Sequence, residues 1–134
     1  MKKAFIALVT VFVINIPSLY YGWYLKWDWV DIVFHFTGGL FVAMFMADYL
    51  KDHFVSREWV KNMLIVVGAT VFIGVVWEFA EFIANQTLAD LVYSKLGVRA
   101  YFIGDLQDTI NDLLMDILGA LTFMSLHFFK TKND

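Results

Sequence analysis

Hydrophobic residues run along this chain in four long blocks, and most of the charged residues collect between the blocks and at their edges. The blocks predict helices over about 4–21, 30–50, 60–84 and 108–129. Each is long enough to cross a hydrocarbon core of roughly 30 Å at about 1.5 Å of rise per residue. The expected fold is therefore all-α and polytopic, a four-transmembrane-helix bundle occupying residues 1–134 as a single domain. In the connection over 85–105, Leu88, Leu91, Val92 and Leu96 recur at helical spacing and stop at Gly97. That pattern predicts a short interfacial helix over the outer face.

Composition agrees with a lipid setting. Of 134 residues, 60% are hydrophobic and 19% aromatic, more than a soluble domain of this size can bury. There is no cysteine, so any metal must be held by oxygen and imidazole. The net charge of -3 and the lack of a basic patch exclude a nucleic-acid partner. Lys2 and Lys3 before an apolar run also suit a signal peptide, whose removal would leave three spans. The length of the run, Pro17 near its end and the lack of a small-x-small site favour a retained first helix.

Basic residues set the orientation. With the N-terminus inside, Lys2, Lys3, Lys51, Arg57, Lys61, Lys130 and Lys132 are inner, against Lys26, Lys95 and Arg99 outside. The chain is expected in the cell membrane as a multi-pass protein with both termini cytoplasmic. Tyr20, Tyr21, Trp23, Tyr24, Trp27 and Trp29 then form an aromatic belt at the outer interface.

A carboxylate at membrane depth is costly unless it is paired, protonated, hydrated or metal-bound, so the placement of the acids is informative. Asp31 and His35 are i,i+4 in the outer turns of the second helix, and Glu78 and Glu81 are i,i+3, beside Trp77, in the outer part of the third. Asp105, Asp108, Asp112 and Asp116 step by three, four and four along the fourth. At about 100° per residue that stripe covers about 80° of the helix and descends about 16 Å. Seven carboxylates against His35 and Arg99 cannot all stay ionised in a low dielectric without counter-cations or protons.

Three segments carry a resemblance: Asp31-Ile-Val-Phe-His35-Phe36, Trp77-Glu78-Phe-Ala-Glu81, and Gly104-Asp105-Leu-Gln-Asp108-Thr109-Ile-Asn-Asp112 with Gly119-Ala120. Over residues 31–120 the chain resembles the small bacterial integral membrane proteins called YjdF-like, and more loosely the VanZ-like proteins associated with glycopeptide resistance. Glu81 stands where the VanZ-like pattern has Gln, and Asp116 where it has Asn. The resemblance implies an integral membrane protein with a polar site and names no reaction.

Carboxylates and an imidazole drawn from facing helices suit a divalent metal ion such as Mn, Fe, Zn or Mg. His35, Glu78, Glu81, Asp108 and Asp112 are the candidate ligands. Asp31, Glu81 and Asp116 are candidate catalytic acids, and Arg99 is a candidate for binding an anionic headgroup. The expected function is metal-assisted hydrolysis or transfer on a lipid-linked or amphipathic ester at the outer leaflet. No Glu-x-x-His pair indicates a di-iron oxidase, and no Ser-His-Asp or Cys-His spacing favours covalent catalysis. Two alternatives compete: a non-catalytic binding, immunity or accessory protein held by a structural polar network, and a cation or proton pathway. The partner classes are a membrane lipid or amphipathic ligand, with a second copy or a partner membrane protein left open.

Several of these residues also have plain structural readings. Asp31 and Asp105 sit where helix N-caps are expected, with Asp108 at the third position of the same cap. Gly38, Gly39, Gly74 and Gly119 read as contacts that let helices approach, and Phe36 and Trp77 as packing. His53 and His127 fall away from the cluster.

Overall fold

A computed structural model of the chain describes residues 1–27, 29–56, 58–100, 102 and 104–133, with side chains through His127. Arg57 and the side chains of Lys130 and Lys132, part of the inner charge excess, lie outside the described residues. The helices are α1 (Lys2–Tyr20), α2 (Trp29–Leu50), α3 (Trp59–Thr87), α4 (Ala89–Leu96) and α5 (Leu106–Asn133), with one 3-10 turn at Lys51–His53. All except α4 are long and apolar enough to cross a membrane, with mean hydropathy from 1.3 to 2.2. Only 11% to 28% of the most apolar stretch of each span is buried by the protein itself. The exposed Phe5, Phe12, Phe72, Phe79 and their neighbours need hydrocarbon as their solvent.

The helix ends follow local chemistry. Gly22, at φ 64°, ends α1, its N–H donating to Leu19 O and the Trp23 N–H to Ser18 O. That paired arrangement turns the chain sharply towards α2. Gly97, at φ 67°, ends α4 as the sequence spacing anticipates. The Asp105 carboxylate accepts from the Gln107 and Asp108 N–H groups at 2.9 and 3.1 Å, which starts α5 at Leu106 rather than at 108. Helix α3 continues to Thr87, past the expected end at 84.

Packing is organised by steps of four. Buried in steps of four are His35, Gly39, Ala43 and Ala47 on α2, Val66, Thr70, Gly74 and Glu78 on α3, and Asp112, Asp116, Ala120 and Met124 on α5, while Val30 and Gly119 are buried outside these series. Residues four apart form one ridge of a helix, so three ridges meet along a common axis. Small residues bring α2 and α5 close: a Cβ on Gly39 would overlap the Asp116 backbone, and one on Gly119 the backbone at Phe36 and Leu40. A Cβ on Gly74 would overlap the Asp116 carboxylate, so α3 leaves that acid its space.

The ridges change character along their length. At one end Ala43, Ala47, Val66, Ala120 and Met124 form the apolar core, with Met46, Met63, Val67 and Phe123 against it. The α1–α2 pair is also held there, by the Met1 amino group and Asp48. At the other end the same ridges carry His35, Glu78, Asp112 and Asp116. Helix α1 makes its close backbone approach to α2, and reaches α3 through Phe12, whose ring lies edge-on to Trp77 at 6.2 Å.

Candidate metal centre

His35 stands at the middle of the acidic end, 7% exposed, between carboxylates from its own helix and from α5. Its Nε2 is 3.7 Å from Asp31 Oδ1 and 3.9 Å from Asp112 Oδ2, while its Nδ1 is 3.6 Å from Asp116 Oδ1. The two ring nitrogens therefore address different acids. From α3, Glu78 and Glu81 approach the same imidazole. Ligand atoms of Asp31, His35 and Asp112 lie within 4.8 Å of one another, as do those of His35, Glu78 and Glu81.

The two Nε2 separations are too long for direct hydrogen bonds, and the Nδ1–Asp116 contact is the shortest of the three. Two donors on one tetrahedral ion at ~2.0–2.2 Å stand ~3.3–3.6 Å apart, close to the spacing at Nε2. Glu78 is the most telling group. It is 6% exposed, and among the described residues neither carboxylate oxygen has a hydrogen-bond partner; Thr109 of α5 lies beside it outside hydrogen-bond geometry. A buried carboxylate left unpaired by protein is strongly unfavourable, so its oxygens require a cation or a proton.

The sequence-predicted residues divide accordingly. His35, Glu78, Glu81 and Asp112 come together, joined by Asp31 and Asp116, which were expected as catalytic acids rather than ligands. Asp108 turns away: its Oδ2 accepts from the Gly104 N–H at 3.1 Å, and it belongs to neither ligand group. The physical reason is the free backbone donor just before the helix, one residue earlier than the reciprocal cap anticipated at Asp105. Arg99 is exposed, its guanidinium 6.0 Å from the centre of the Tyr93 ring, and it lines neither cavity beside the site. Gly97 turns the chain at the end of α4 and leaves Arg99 against that helix.

Two cavities flank the centre. A cleft of about 530 Å³ is bounded by Tyr24, Asp31, Glu81, Asp105 and Asp108. A second space of about 150 Å³ lies deeper among α1, α2 and α3, with His35 and Asp116 in its wall. Phe12, Asn15 and Trp77 line both. Two of the residues at these cavities carry polar groups that the sequence reading passed over. Asn15 is an amide within the apolar first span, a signal that intramembrane polarity supplies. Tyr24 was assigned to the aromatic belt, yet its ring packs on Phe34 and it lines the outer part of the cleft. Burial, then the charges of Asp31, Glu81 and Asp112, hold its phenol above the ordinary range, so it remains an O–H donor.

Four spans around a buried histidine and carboxylate cluster define a multi-pass helical membrane protein with a polar intramembrane centre. The chain belongs to the family described as "Predicted membrane protein (DUF2238)", whose pattern matches residues 2–133. It is 29% identical over 124 residues to a Thermotoga maritima protein described as an uncharacterized protein. The match covers 90% of this chain and 59% of that relative. No solved structure matches the chain.

Proposed function

We propose that this protein binds a divalent metal ion between α2, α3 and α5 and uses it to hydrolyse or transfer an amphipathic or lipid-linked ester. The observation that carries the reading is Glu78, a buried carboxylate with two unpartnered oxygens beside His35 and Glu81. Two ligand groups, Asp31–His35–Asp112 and His35–Glu78–Glu81, share the imidazole, and each offers one nitrogen and two carboxylates, donors suited to Mn, Fe, Zn or Mg. A bound divalent ion would polarise a substrate oxygen and lower the pKa of a water. Asp116 at Nδ1 would fix the imidazole so that Nε2 faces the ligand group. Glu81, which borders the cleft, would move protons to and from the reacting group.

The basic residues support a topology with cytoplasmic termini and the cleft towards the outer leaflet. The narrower affiliation with YjdF-like proteins rests on the segments around Asp31, Glu78 and Asp112 that build the cluster. A proton path through one chain is less favoured, because Ala43, Ala47, Val66, Ala120 and Met124 close the opposite half with apolar side chains. A purely structural network is less favoured because it leaves both Glu78 carboxylate oxygens without a hydrogen-bond partner among the described residues.

The test is turnover of chromogenic esters with alkyl chains by protein in nanodiscs, with and without a chelator. Chelator-sensitive turnover, restored by a divalent ion and lost in Asp112→Asn, is the expected result. Turnover indifferent to both chelator and Asp112→Asn would contradict the proposal.

A further inference from the structure

The space of about 150 Å³ is distinct in character from the cleft above it. Leu8 and Val11 of α1, Val42 of α2 and Ile73 of α3 form its sides, and His35 and Asp116 close it towards the metal centre. A space of this size, lined mostly by apolar groups, has room for a benzene-sized hydrocarbon, equivalent in bulk to the first few methylenes of an alkyl chain. It lies between α1 and α3, which meet through side chains while their backbones stay apart. A chain can therefore enter sideways from the bilayer.

The other cavity tells what such a chain carries. It shares Phe12, Asn15 and Trp77 with the apolar space, so one extended molecule can occupy both. Its border holds the carboxylates of Asp31, Glu81, Asp105 and Asp108, with no lysine or arginine among the lining residues. Lys26, two residues from Tyr24, is not among the described lining residues, and Arg99 lies against Tyr93. The carboxylates of Asp105 and Asp108, which the proposed ion does not use, would repel an anionic head and attract an ammonium. Asn15 sits at the junction, where an amide can hydrogen-bond the linkage between chain and head.

We infer that the apolar space is an alkyl-chain slot, and that the ligand is an amphiphile whose chain lies between α1 and α3 and whose ammonium-bearing head lies in the acidic cleft. The inference deepens the proposed function by naming its substrate class, and it rests on that reading for the chemistry alone. Binding can be read without any reaction.

The probe is an alkyltrimethylammonium brominated along its chain, titrated into nanodisc-embedded protein, with quenching of Trp77 read as the difference between the parent and Trp77→Phe. The control is a carboxylate amphiphile with the same brominated chain. Saturable quenching by the ammonium probe, with affinity at least about tenfold above that of the carboxylate probe, is expected. Gly38→Leu fills the slot from a position where a Cβ meets nothing within 4 Å. It should abolish the saturable quenching, and Val42→Phe, which narrows the slot from another position, should do the same if Gly38→Leu does not fold. Equal affinity for both heads, or undiminished quenching in a folded slot-filling variant, would overturn the inference. Metal content measured on the same samples separates the two ideas: a metal-free protein that still selects the ammonium probe keeps the slot and loses the metal site.

Discussion

The Nδ1 of His35 lies 3.6 Å from Asp116 Oδ1, on the opposite side of the imidazole from the Nε2 that faces Asp31 and Asp112. A histidine that binds metal through one nitrogen commonly donates the other N–H to a carboxylate, which fixes the tautomer and raises ligand basicity. In the proposed site Asp116 is therefore a positioning residue. Asp116→Asn should weaken divalent-metal affinity by about 10–100-fold without abolishing it. Competition with a metal-sensitive chelating dye measures this, and an affinity equal to the parent's would remove Asp116 from the role.

Glu78 gives a prediction in the absence of metal. In the chelated protein its buried carboxyl has no hydrogen-bond partner among the described residues and must take up a proton, so Glu78→Gln, which needs none, should leave the thermal midpoint unchanged or raise it. Metal should stabilise the parent by about 2.7 kcal/mol at a free concentration near 100 times Kd, and the variant by little. Thermal scans in detergent with and without metal read both effects. A variant stabilised by metal as much as the parent would contradict the assignment of Glu78.

Gly38 and Gly39 are neighbours with opposite expectations. A Cβ at Gly39 would collide with the Asp116 backbone, whereas one at Gly38 meets nothing within 4 Å. Overpacking of this kind costs about 1–3 kcal/mol, so Gly39→Ala should lower the thermal midpoint. Gly38→Ala should leave it unchanged or raise it slightly, since alanine is the better helix former. Similar effects from the two substitutions would mean that α2 and α5 do not approach at Gly39.

Tyr24 predicts an alkaline dependence. Its phenol is held above the ordinary value of 10.0 by burial and then by nearby carboxylates. The folded state keeps the proton while the unfolded chain releases it, so this contribution is intact below pH 10 and falls as pH rises beyond it. The parent should lose stability above that pH faster than Tyr24→Phe, measured as thermal midpoint against pH. Parallel curves would show that Tyr24 is not so buried.

The sequence made the spans visible because lipid demands long apolar runs, and the convergence of acids visible because steps of three and four keep side chains on one face. It did not show which helices meet. Gly39, Ala43 and Ala47 announce a close approach, but small residues do not name their partner, and α5 becomes known only through Gly119 and Asp116. Asp108 misled because a free backbone N–H at Gly104 competes for its carboxylate. Asn15 went unread because its meaning depends on α1 leaning beside the cavities.

The central claim is that His35 and Glu78 share a bound divalent ion. Elemental analysis by plasma mass spectrometry of detergent-purified protein, alongside His35→Ala and Glu78→Gln, tests it most directly. The account predicts near-stoichiometric divalent metal in the parent, and its loss from variants that remain folded and monodisperse. A parent with no bound metal after purification and add-back, or variants that hold as much metal as the parent, would contradict it.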